Sequence, residues 1–162
     1  MRMIFFGSDD FAETNLARLV GTGHSVVACV TQPDRPKGRG MKVAASPIKT
    51  FAQAHGIPCL QPPSVREAQF LKDIRAWDAD LFVVIAYGQI LPQELLDIPS
   101  ICSVNVHASL LPKYRGAAPI NWAILNGEKE TGVTLIRMNA RMDAGDIIAR
   151  RVLKISDEDD AP

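Results

Sequence analysis

The chain has 162 residues, 47% hydrophobic and 22% charged, which is enough for one buried core without staples and excludes a disordered polypeptide. Eighteen basic side chains cancel eighteen acidic ones, so no global field attracts nucleic acid, and any such contact must come from a local cluster. No stretch approaches the roughly 20 apolar residues of a membrane span, and the opening MRMIFFGSDDF does not read as a signal peptide, so none is expected. Cys29, Cys59 and Cys102 are widely spaced among apolar residues, as reduced core thiols are, so the expected setting is the cytoplasm.

Ile4 to Phe6 read as a buried first strand ended by Gly7. Asp10 with Glu13 offers a capping box for a helix through Val20, which Gly21 stops. Ser25 to Thr31 (SVVACVT) is a second β-branched strand, so the opening is a strand, helix, strand unit whose simplest geometry is parallel. Residues 32–47 (QPDRPKGRGMKVAASP) hold prolines, glycines and basic residues that cannot build a core element, and read as a long exposed loop. Helical spacing resumes at Ile48, Phe51 and Ala52 and ends at His55 and Gly56; Pro58 to Leu60 supply a short strand. Ser64 and Glu67 form a second capping box, opening a helix that buries Phe70, Leu71 and Ile74.

Leu81 to Ala86 (LFVVIA) is a continuous apolar run, the mark of a central strand covered on both faces. A short helix near Gln93 to Leu96 precedes a strand from Ser103 to His107, then come a helix from Ala118 to Leu125 and strands at Gly132 to Met138 and 147–153. The whole predicts an open, mostly parallel α/β sheet with helices on both faces. The acidic ending SDEDDAP looks like a helix start with no helix behind it, so a truncated boundary is expected there.

Dinucleotide binding needs G-x-G-x-x-G in the first strand-to-helix turn, but that turn is GSDDFA, and Asp9 and Asp10 put negative charge where a pyrophosphate would sit. G-x-x-x-x-G-K-[ST] is also absent. NAD and nucleoside triphosphates are therefore set aside.

Of the three histidines, His24 follows a glycine turn and His55 closes a helix, so both have structural explanations; His107 has none. In a strand, Asn105 and His107 share a face opposite Val104 and Val106. An amide that donates to an oxygen acquiring charge, beside an imidazole that switches between donor and acceptor, suits acyl chemistry at the carboxyl edge of the sheet. A carboxylate is needed to orient the ring or take a proton, and MDAGDI offers Asp143 and Asp146; spacing does not choose between them. Ser109 lies in no G-x-S-x-G elbow, and no cluster has metal spacing, so direct transfer without a covalent enzyme intermediate is expected.

TQPDRPKGRG (31–40), AYGQILP (86–92), NVHASLLPKYRGAAPI (105–120), ETGVT (130–134) and MDAGDI (142–147) together resemble the signatures of folate-dependent formyltransferases. They resemble above all the N-terminal catalytic domain of the methionyl-tRNA branch, in order and spacing nearly end to end. The resemblance implies the Rossmann-like formyltransferase fold. It also implies transfer of a formyl group from 10-formyltetrahydrofolate to the α-amino group of methionyl-initiator tRNA, without metal or NAD.

By this resemblance Asn105 and protonated His107 stabilise the oxyanion, and Asp143, now preferred to Asp146, holds His107 and relays a proton. Gln89, Ile90, Leu91, Ser109, Leu110, Leu111, Pro112, Asn139, Ala140, Arg141 and Met142 contact the folate, and Arg35, Lys37, Arg39 and Lys42 the tRNA. The partners implied are initiator methionyl-tRNA and the folate donor, with no membrane, and the protein is expected to be a monomer. One departure is S-D-D-F at 8–11 where T-P-D-F is usual. The other is length: residues 1–162 correspond to a shortened catalytic domain lacking the family's C-terminal β-barrel, so weak tRNA binding and poor activity are expected. The alternatives are a formyltransferase for a nucleotide-linked amino sugar, disfavoured by the basic loop, and a silent folate-binding fragment.

Overall fold

The computed structural model describes residues 1–37 and 42–161. Seven strands join in one sheet, and the chain divides into two compact units, Met1–Ser103 and Val104–Pro162.

In the first unit the strands β1 (Arg2–Phe6), β2 (Ser25–Val30), β5 (Cys59–Leu60) and β6 (Leu81–Val84) lie in the order β5-β2-β1-β6, every neighbour parallel. Ile4, Phe5, Phe6 and Phe82 are fully buried or nearly so. Each such side chain contributes about 1.5–3 kcal/mol relative to exposure, which is why these apolar runs take the centre of the sheet. The crossovers are α1 (Asp10–Val20), α2 (Pro47–Ala54), α3 (Ala68–Arg75) and α4 (Gln93–Leu96). The expected burial of Phe70, Leu71 and Ile74 in α3 is observed.

Three local readings are corrected. The cap of α1 is Asp9, whose carboxylate accepts from Ala12 N at 2.9 Å, while Asp10 is already helical. Two adjacent acids are equivalent by pattern, and the phase of the buried Ala12 and Leu16 decides between them. Glu67, not Ser64, occupies the cap position of α3 and makes no side-chain cap bond; Ser64 instead closes a turn by accepting from Arg66 N. The third lies in 32–47, which is not all loop. Residues Arg35–Lys37 (β3) and Lys42–Ala44 (β4) pair as a two-stranded antiparallel ribbon, because backbone pairing at a small ribbon needs no apolar side chains. Ser46 then caps α2 by accepting from Lys49 N, with Pro47 at the first helical position.

In the second unit β7 (Cys102–His107, beginning two residues before the boundary), β8 (Glu130–Arg137) and β9 (Ile147–Lys154) are antiparallel, with α5 (Pro119–Leu125) burying Ala123. The sheet order is β5-β2-β1-β6-β7-β8-β9, open and mostly parallel. Ser156 opens only a turn, its N–H donating to Asp159 Oδ2. All three cysteines lie in strands as free thiols; Cys29 is buried, Cys59 and Cys102 half-buried. Burial, and secondarily Cys59 opposite it in register, pushes the Cys29 thiol up to about 12, so it stays protonated.

Candidate active site

Strand β7 supplies the ruler for the site. Asn105 stands opposite Ile136 of β8 and His107 opposite Thr134, so two residues of one strand face project at its end. His107 is only 6% exposed, and both ring nitrogens are engaged. Its Nε2 lies 2.8 Å from the Tyr114 carbonyl, which only accepts, so Nε2 carries a proton. Its Nδ1 faces Asp143 Oδ2 at 3.5 Å.

Asp143 is the hub. Its Oδ1 accepts from Asn105 Nδ2 at 3.2 Å, its Oδ2 from Gly116 N at 2.8 Å, and its carbonyl from Arg115 Nε at 3.0 Å. The carboxylate thus meets both polar residues of β7 and is fixed by a backbone donor. Asp146 is exposed, and its carbonyl accepts from Arg137 N at 2.8 Å. Geometry separates the two acids that spacing left equivalent.

Two devices place Asp143. Its own backbone is left-handed, with φ at 46°, a region that costs most side chains about 1–2 kcal/mol but that a short polar residue tolerates. Gly145 passes so close to Arg137 that an added Cβ would overlap the Arg137 carbonyl oxygen and stand 2.8 Å from its carbon. Glycine in D-A-G-D is therefore a clearance.

The loop after β7 is pinned from three sides. Ser109 is fully buried and donates to Lys113 O at 2.6 Å, the bond of a turn residue rather than of a nucleophile. Thr134 Oγ1 donates to Ser109 O and accepts from Leu111 N, at 2.7 and 3.1 Å. Glu128 accepts from Lys113 Nζ and Tyr114 Oη, and these bonds, chiefly that from Lys113, hold its carboxyl below the usual range. Tyr114 and Ala118 are left-handed as well, with φ of 55° and 54°.

Of the residues expected to line the folate site, Leu111 is buried, Leu110 half-buried and Pro112 exposed. Asn139 binds Ala144 O and Arg141 N across the turn that carries Asp143, while Ala140, Arg141 and Met142 are exposed. In the first unit, Gln89 accepts from Val65 N, Ile90 is exposed and Leu91 buried. Arg35 opens β3 with its side chain exposed; Lys37 and Lys42 belong to the ribbon, and Arg39 lies outside the described residues. His24 is exposed in the turn before β2, and His55 stacks on Phe51 at 3.9 Å at the end of α2. Among the described residues no three potential ligands are grouped to hold a metal ion, and no helix is long and apolar enough to cross a membrane.

Residues 1–162 match the family model described as formyl transferase. The chain belongs to the formyl transferase family. Within the family it is 53% identical over 161 residues to a methionyl-tRNA formyltransferase of Geobacter metallireducens, covering 99% of the chain and 52% of that protein. To a methionyl-tRNA formyltransferase of Acetivibrio thermocellus it is 54% identical over 158 residues, covering 98% and 51%. It therefore spans about half the length of these curated relatives. Its fold matches the crystal structure of a phosphoribosylglycinamide formyltransferase from Anaplasma phagocytophilum with a TM-score of 0.81 at 23% identity, over 99% of this chain and 75% of that one.

Sequence reasoning missed Tyr114 O, Gly116 N and Glu128, because two are backbone groups and the third acts through a distant loop. The signal for the first two was the polar, glycine-containing break PKYRG after the strand, and Glu128 had none.

Proposed function

We propose that this chain forms the formyl-transferring unit of a protein that moves a formyl group from 10-formyltetrahydrofolate to the α-amino group of methionyl-initiator tRNA. The observation that carries it is Asp143 meeting both Asn105 and His107. Support for the acceptor comes from methionyl-tRNA formyltransferases more than 50% identical to this chain. The donor set fits an acyl oxygen acquiring charge: an amide and an imidazole on one strand face, with a fixed carboxylate behind them.

The folate supplies the activated formyl group. As the amine adds to the formyl carbon, Asn105 Nδ2 and a ring N–H of His107 donate to the developing oxyanion, which requires His107 Nε2 to exchange its bond with Tyr114 O. Asp143 holds the His107 ring and relays the proton that the amine loses to the departing folate nitrogen, so one C–N bond forms, one breaks and the proton count closes. Gln89, Ile90, Leu91, Ser109 to Pro112 and Asn139 to Met142 are assigned to the folate. Arg35, Lys37, Arg39 and Lys42 are assigned to tRNA phosphates.

A formyl-transfer assay on charged initiator tRNA tests this in a full-length protein carrying this sequence. His107→Ala and Asn105→Ala are each expected to lower kcat about 10²–10³-fold, the usual loss for one oxyanion donor. A wild-type rate in either variant refutes the assignment.

A further inference from the structure

The first unit contains a residue that this mechanism does not use. Gln32 follows β2 directly, and its polar atoms reach several separate segments. Its N–H donates to Ser8 Oγ at 3.2 Å, its carbonyl accepts from Gln61 Nε2 at 2.9 Å, and its own Nε2 donates to Tyr87 O at 3.1 Å. Its Oε1 accepts from both Gln89 Nε2, at 3.4 Å, and Arg35 Nη2, at 3.5 Å. The amide lies over Gly88, whose φ is +88° and where an added Cβ would stand 3.8 Å from Nε2.

Two residues on, Asp34 clamps the foot of the ribbon. It accepts from Lys49 Nζ of α2 at 2.5 Å and from Gln61 Nε2 at 2.7 Å, and these bonds, that from Lys49 first, hold its carboxyl below the usual range. The ribbon base is thus fixed on one side by Asp34 and tethered on the other through Arg35 to a shared amide oxygen.

We propose that Gln32 is a positioning residue that couples folate at Gln89 to the setting of the basic ribbon β3–β4, an inference resting on the folate and tRNA assignments above. A carboxamide oxygen has two acceptor sites, and here both are used at long range by donors from the two functional segments. The amide nitrogen is anchored on Tyr87 O, so the oxygen can move toward one donor only by leaving the other. When a ligand engages Gln89, Oε1 is released to Arg35 and the first residue of β3 is drawn onto the sheet. By linkage, RNA on the ribbon raises folate affinity by the same factor. A gain of one such hydrogen bond predicts coupling of about fivefold.

The test uses a full-length protein carrying this sequence, with 5-formyltetrahydrofolate and an acceptor-stem RNA minihelix as probes. Amide hydrogen exchange is followed in peptides covering Arg35–Lys37 and Lys42–Ala44, and minihelix affinity is measured with and without the folate. In the wild-type chain the folate should slow exchange in both strands and tighten the minihelix about fivefold. Gln32→Met keeps the length of the side chain without its polar atoms, and Gln32→Ala serves as a second variant; thermal unfolding verifies that each is folded. Both should bind 5-formyltetrahydrofolate within about twofold of wild type while the affinity ratio falls to one. A ratio preserved in a folded variant, or a wild-type ratio of one with both probes bound, overturns the coupling. A wild-type protein that does not bind the folate overturns the donor assignment, one that does not bind the minihelix overturns the tRNA assignment, and either takes the coupling with it.

Discussion

Replacing Gly145 with Ala perturbs Asp143 without touching any side chain of the site. The new Cβ would overlap the Arg137 carbonyl oxygen and lie 2.8 Å from its carbon. Carbon atoms pack best at about 3.5–4.0 Å, so the Asp143 turn and β8 must part by at least about 0.7 Å. That separation also strains the bond from Arg137 N to Asp146 O, now 2.8 Å. Overpacking of this kind costs about 1–3 kcal/mol, and a catalytic group misplaced by about 1 Å loses on the order of a hundredfold in rate. In a full-length protein, Gly145→Ala should keep folate affinity within a few-fold, lower kcat for formyl transfer by about 10–100-fold and lower the unfolding free energy by about 1–3 kcal/mol. Ala144→Ser, at the neighbouring position, serves as control. Wild-type kcat in a folded Gly145→Ala protein would show that the Asp143 carboxylate need not stand where β8 holds it, and would sink the clearance account.

Asp143→Asn retains a side chain suited to positive φ and the acceptor for Gly116 N; it should fold like the wild type yet lose about 10²–10⁴ in kcat, and a loss below tenfold removes Asp143 from the proton path. Thr134→Val strips the hydroxyl that serves Ser109 O and Leu111 N in a fully buried setting, so chemical denaturation should report a loss of about 2–3 kcal/mol, and a change under about 0.5 kcal/mol would contradict it. Asp34, Asp80 and Glu128 are all held below their ordinary values of 3.8, 3.8 and 4.5, chiefly by bonds from Lys49, Arg2 N and Lys113. Depressed carboxylates give stability that is present above the unfolded value and lost as pH falls through the folded one, so the denaturation midpoint should hold down to about pH 5 and decline below it. A midpoint that rises on acidification from about pH 5 to about pH 3 would contradict that sign.

The alternation of apolar runs and helical spacing is enough to read the parallel core, because β1 and β6 bury all but their first residue, β2 buries its last three, and none carries a competing signal. Residues 32–47 are harder, since proline and glycine mask a ribbon whose order comes from backbone pairing and from the distant Lys49 and Gln61. In the site, period-two alternation puts Asn105 and His107 on one face from sequence alone. Asp143 and Asp146 cannot be separated that way: they are three residues apart in a turn, and what distinguishes them is the left-handed backbone at 143 and a close approach to β8 at 145.

Tyr114, Ala118 and Asp143 share one property: each holds a side chain at a backbone setting where glycine would relax. Selection for heat resistance alone would reward glycine at these points. On the proposed mechanism, selection for turnover would oppose it at Tyr114, whose carbonyl receives His107, and at Asp143. The loops that build this site are thus where the demands of a durable fold and of a working one diverge, and a thermostable variant is best sought away from them.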